Sequence, residues 1–149
     1  MKTYRMAVLA ILATLAACLA NIAIAGEEAP TSATLYDRLG GAEGIDLIIS
    51  QTLERHLANP VLAPYFQHLD HEWFHHAAST FFAAGTGGPN DYTGRDVVSA
   101  HAHLNISDEV FDTAMADILA SVQSNGADAT TYEEVAAVLE SFRLQVVSP

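Results

Sequence analysis

The chain has 149 residues with 18 acidic and six basic side chains, a net charge of −12 at pH 7, half of its residues hydrophobic, and one cysteine. That length supports one domain with one core. The charge argues against a nucleic-acid partner, because an acidic surface repels a phosphate backbone, and a lone cysteine excludes an internal disulfide.

Lys2 and Arg5 precede an apolar run from Met6 to Ala20, and Ala23-Ile24-Ala25 ahead of Gly26 has the small residues of a signal-cleavage site. Residues 1–25 are therefore expected to be a secretory signal segment, and the product to be exported, periplasmic or secreted. A rival reading starts from Leu15-Ala16-Ala17-Cys18, which resembles a lipoprotein box and would leave an acylated Cys18 anchored in a membrane. Beyond the signal the basic residues are Arg38, Arg55, Arg95 and Arg143, with no lysine. Residues 26–32 form a polar tether, and a single domain is expected over 33–149.

From Ala33 the periodicity is helical. A short first helix over 33–39 stops at Gly40-Gly41, since glycine accepts the positive φ that ends helices. A second, over 42–58, sets Ile45, Ile48, Ile49, Leu53 and Leu57 along one side and ends at Asn59-Pro60. A turn-rich stretch to Leu69 carries Tyr65 and Phe66; Asp70 then offers a carboxylate cap to a helix over 71–84. The breakers Gly85-Thr86-Gly87-Gly88-Pro89-Asn90-Asp91 make a loop. A short helix over 95–104 bears His101, and Ser107, followed by Asp108 and Glu109, opens a long one that closes at Asn125-Gly126. Thr131 and Glu134 have capping-box spacing for a last helix with Val135, Val138, Leu139, Phe142 and Val146 inward. No strand pattern survives, so the fold class is all-α.

The segments Thr34-Leu35-Tyr36-Asp37-Arg38-Leu39-Gly40-Gly41, Leu62-Ala63-Pro64-Tyr65-Phe66, Gly87-Gly88-Pro89 with Tyr92-Thr93-Gly94, and Ala100-His101 leading to Leu104-Asn105-Ile106 stand in an order that resembles the group I truncated haemoglobins. The resemblance implies a two-over-two helical sandwich around a non-covalent haem b. It also implies that His101 is the proximal iron ligand, that Phe66 stacks on the porphyrin, and that a diatomic gas (dioxygen, nitric oxide or carbon monoxide) is bound. The chemistry agrees: an iron ligand is a neutral imidazole whose other nitrogen needs an acceptor, and on a helix the carbonyl of Val97 is in reach. No Cys-x-x-Cys-His occurs, which excludes the usual covalent attachment. His103 is about 200° around a helix from His101, so the two cannot share one iron.

On the distal side the family usually places a Tyr and a Gln, and the matching positions here are Leu53 and Ala78, with Phe74 one turn before Ala78. All three are apolar, which predicts weak retention of dioxygen. His75 or His71 could instead swing in as a distal ligand. Tyr92, Arg95 and His68 are the candidates for the haem propionates. Phe82 and Phe81 read as core or as the gate of a gas tunnel. Simple ligand binding by a haem protein with an external reductant leads; a haem-based redox or nitric oxide-detoxifying enzyme and a gas sensor are the alternatives. A different class is raised by His71-Glu72-Trp73-Phe74-His75, the His-Glu-x-x-His pattern of zinc hydrolases, although no third ligand follows at a recognisable spacing.

Overall fold

In the computed structural model, residues 33–148 are described; the signal segment, the Cys18 anchor and the tether lie outside them. Eight helices are present among these residues: α1 Leu35–Arg38, α2 Gly41–Ala58, α3 Ala63–Phe66, α4 His71–Gly85, α5 Val97–His101, α6 Asp108–Ser124, α7 Ala129–Glu140 and α8 Arg143–Val146. There is no strand among them, and none of these helices is long and apolar enough to cross a membrane.

Side-chain caps set most of the starts, satisfying backbone donors that a first turn leaves free. Thr34 and Asp37 form a reciprocal capping box on α1, which therefore starts two residues later than the periodicity suggests. Asp70 accepts from the amide of Trp73 on α4, Asp96 from Ser99 on α5, and Ser107 from Val110 on α6. The expected Thr131–Glu134 capping box is not formed. Asp128 is the cap of α7 and accepts from the amide of Thr131, which lies inside the first turn and is buried. Nor does the final helix run through: it breaks after Glu140 and resumes as α8.

The end of α4 is a Schellman motif. Gly87 takes φ +89°, its amide donates to the carbonyl of Ala84, and the amide of Gly88 donates to that of Ala83 at 2.9 Å. Gly88 also lies against the Tyr36 ring, where a Cβ would come within 2.4 Å of Cδ2. The amide of Tyr36 donates to the carbonyl of Thr86 at 2.8 Å, so α1 is pinned to this corner.

The longer helices form two pairs. α2 packs against α4 and crosses α6, and α6 packs against α7. Ile45, Ile48, Val122 and Val135, each at most 1% exposed, fill the space between them. Of the short helices, α1 lies against α2 and α7, α3 lies against α2, and α8 lies against both α5 and α6. Arg143 on α8 reaches Asp108, Asp112 and Glu140 and rests 4.5 Å from the centroid of Phe111, fixing α8 across the start of α6.

Candidate functional site

The helix pairs and the short α3, α5 and α8 enclose a cavity of about 390 Å³, within the size range of cofactor sites. Its walls are largely apolar, as with Phe74, Ala78, Phe82, Leu104, Met115 and Ile118.

His101, the last residue of α5, lines it, and its Nδ1–H donates to the carbonyl of Val97 at 2.7 Å. A carbonyl can only accept, so in the neutral ring the lone pair is on Nε2. Among the described residues Nε2 has no hydrogen-bond partner. The carboxylate of Asp96 receives both the amide (2.9 Å) and the hydroxyl (2.7 Å) of Ser99, and these bonds hold its carboxyl below the usual range. That cap fixes the start of the five-residue helix and hence the direction of its final side chain.

Of the residues singled out by sequence, Phe66, Phe74, Ala78, Phe82, Tyr92 and Arg95 line the same cavity as His101. Phe66 meets Phe74 edge-on at 5.3 Å, and Phe81 packs between Tyr92 (5.1 Å) and Phe142 (5.7 Å). Tyr92 gives its hydroxyl proton to the carbonyl of Arg95 at 2.6 Å, so it orders the approach to α5. His103 also borders the cavity: α5 ends at His101, so the helical angle that would separate the two does not apply.

Four of the residues singled out by sequence, Leu53, His75, His71 and His68, do not line the cavity. Leu53 is buried but does not line the cavity. The side of α2 that does carries Ile49, Thr52 and His56, at helical spacings of three and four. His75 also stands off the cavity. Its Nε2 lies 2.9 Å from the Ser50 hydroxyl and 3.2 Å from the Asp46 carbonyl, so it stitches α4 to α2. His71 is exposed, with Nε2 3.0 Å from the carbonyl of Phe66. The two histidines of the zinc-like pattern thus face different partners, and no group of three or more His, Cys, Asp or Glu able to hold a metal occurs among the described residues. His68 is exposed and does not line the cavity.

His56, which the sequence reading passed over, is 3% exposed. Its Nδ1 is 3.1 Å from Oδ2 of Asp117 on α6, and its ring centroid is 4.7 Å from that of Phe66. Burial pushes its pKa below the ordinary value, with Asp117 partly opposing. Thr52, 4% exposed, has a buried Oγ1 with no hydrogen-bond partner.

A largely apolar chamber between two helix pairs, with the His101 imidazole presented at its wall by a five-residue helix and its Nε2 free, fits a globin-type haem-binding protein. The donor set fits the group: the His101 imidazole, its Nδ1 held by the Val97 carbonyl, faces aromatic and aliphatic walls. Residues 34–148 match the family described as bacterial-like globin. A group 1 truncated haemoglobin of Synechocystis sp. is 31% identical over 109 residues, 70% of this chain and 88% of the relative. That of Tetrahymena pyriformis is 26% identical over 110 residues, covering 74% and 91%. The solved Fe(III) form of the Tetrahymena pyriformis truncated haemoglobin superimposes with a TM-score of 0.75 over 78% of this chain and 99% of that one, at 24% identity. The 2/2 haemoglobin of Synechococcus sp. gives 0.72 over 77% and 98%, at 23%. The chain belongs to the bacterial-like globins, as a group 1 truncated haemoglobin with the two-over-two helical fold. Membership implies haem-based gas binding.

Proposed function

We propose that this chain binds haem b non-covalently through Nε2 of His101 and takes up a small diatomic ligand in the cavity, acting as a ligand-binding protein of an exported compartment. The observation that carries the reading is the His101 imidazole, its Nδ1 committed to Val97 and its Nε2 free at the wall of an apolar cavity. Haem, when bound, supplies an iron with an open coordination position. The chain supplies the rest. The Val97 carbonyl keeps His101 in one tautomer and orientation, Phe66, Phe74 and Phe82 offer aromatic surface that excludes water, and Arg95 provides a cation at the cavity for a propionate.

Phe74 and Ala78 offer no hydrogen-bond donor to a bound gas. Bound dioxygen carries partial negative charge, and losing one strong donor bond speeds its release by roughly ten- to a hundredfold. Carbon monoxide and nitric oxide, less dependent on such a donor, are retained better. Reconstitution with haemin followed by ferric, ferrous and carbon monoxide spectra tests the assignment. The Soret band is expected to be lost in His101→Ala and kept in His103→Ala; the reverse pattern, or no haem uptake by the parent chain, overturns it. Slow dioxygen release in stopped flow would overturn the apolar distal side.

A further inference from the structure

Two polar side chains on the cavity side of α2 are left without a task by the reading above. Thr52 and His56 are 4% and 3% exposed, both line the cavity, and they stand one helical turn apart. A buried hydroxyl without a partner is costly and marks a place where a polar guest belongs. Thr52 Oγ1 is such an atom. His56 adds direction. The Asp117 carboxylate can only accept, so the contact at 3.1 Å makes Nδ1 the donor, and Asn59 helps to hold that carboxylate through Nδ2 at 3.4 Å. Burial favours the neutral ring. Its Nε2 is therefore a lone pair, and among the described residues no donor meets it.

We propose that Thr52 Oγ1 and His56 Nε2 form a polar subsite on the α2 wall of the largely apolar cavity for a small ligand that carries its own hydrogen, water when nothing else is bound and hydrogen sulfide as the probe of the class. Such a ligand donates to His56 Nε2 and exchanges a second hydrogen bond with the Thr52 hydroxyl. Dioxygen, nitric oxide and carbon monoxide are acceptors only, so they leave His56 Nε2 unmet. The subsite thus biases the cavity toward protic ligands, and Asp117 is the positioning residue that sets this bias by fixing the tautomer.

The tautomer is read directly by nitrogen NMR on protein with labelled histidine, haem-free and carbon monoxide-bound. His56 protonated on Nδ1 is expected; an Nε2-protonated ring overturns the proposal. The ligand bias rests on the haem reading, and its test uses the haemin-loaded protein. Thr52→Val is expected to weaken sulfide binding to the ferric form about fivefold relative to carbon monoxide binding to the ferrous form, the worth of one neutral hydrogen bond. Thr52→Ser, which keeps the hydroxyl, is expected to retain the parent ratio. An unchanged ratio in Thr52→Val, or an equal loss in Thr52→Ser, overturns it. Failure to take up haem counts against the haem reading alone, because the tautomer is then decided on the haem-free protein.

Discussion

Replacing Gly44 by alanine probes how α2 is seated. α2 opens on two residues of positive φ, its cap Gly40 at +90° and its first residue Gly41 at +66°, and turns back so tightly that a Cβ at Gly44 would lie 1.9 Å from the carbonyl oxygen of Leu39. The obstructing atom is backbone, and Leu39 is itself buried at 6% exposure, so no side-chain rotation relieves the clash. Relief requires α1 and α2 to part by more than an ångström, an overpacking cost of about 3 kcal/mol. For a domain of this size, 1 kcal/mol shifts Tm by about 4 °C, so Gly44→Ala is expected to melt about 12 °C lower. Gly85 is the control. It is helical, nothing lies within 4 Å of a Cβ placed there, and its φ is ordinary. Gly85→Ala is expected to gain about 0.5–1 kcal/mol, raising Tm by roughly 2–4 °C. Thermal melts followed by far-ultraviolet circular dichroism decide both. A Gly44→Ala protein melting within about 3 °C of the parent refutes the steric argument.

Other perturbations test single interactions. His56 holds its proton less readily when folded than when unfolded, burial being the larger cause and Asp117 opposing. As pH falls through about 6.5 the unfolded chain takes up a proton that the folded chain refuses, so stability declines with falling pH until the folded group protonates as well. Urea midpoints from about pH 7 to 5 should show that slope, and His56→Leu should flatten it; an unaltered slope would assign it to other groups. Arg143→Met removes a cation shared by Asp108, Asp112 and Glu140 and should lower Tm at low salt. The loss should shrink in about 1 M salt, where screening is over roughly 3 Å; a salt-independent loss would trace to packing on Phe111 instead. Ser79 on α4 carries a buried hydroxyl without a partner, and Ser79→Ala is expected to stabilise by about 1 kcal/mol, read as a higher denaturation midpoint.

Helix order and most termini were legible because they depend on local chemistry. Asp70, Ser107 and the glycines at 40, 41, 87 and 126 act within a few residues of themselves, and each stands at an observed boundary. At α7 the same logic misled: Thr131 with Glu134 has the right spacing, but Asp128 sits three residues earlier with a carboxylate that caps as well, and burial of Thr131 takes it out of contention. The α2 stripe was legible only in part. Following apolar residues alone leads from Ile49 to Leu53 and Leu57, whereas the buried positions include Leu53 but also Thr52 and His56, and it is these two that reach the cavity. The signal was present in the spacing of 45, 49, 52 and 56, with polar residues at the last two. Why His56 tolerates burial depends on Asp117, 61 residues away, and no local pattern carries that partnership. The contact of His101 with Val97 was legible because it lies within one helix, one turn back.

The helix that presents His101 has five residues, too few to persist in water by its own hydrogen bonds. It keeps its shape through the Asp96 cap and through contact with α8, which Arg143 holds in turn. With His101 as the proposed iron ligand, retention of haem and local order of this stretch become one linked equilibrium. Anything that loosens the carboxylate cluster around Arg143 should then appear as faster haem loss and as earlier amide exchange between Asp96 and Leu104. The helix bearing His101 thus depends for its order on a neighbour that does not carry the ligand, α8.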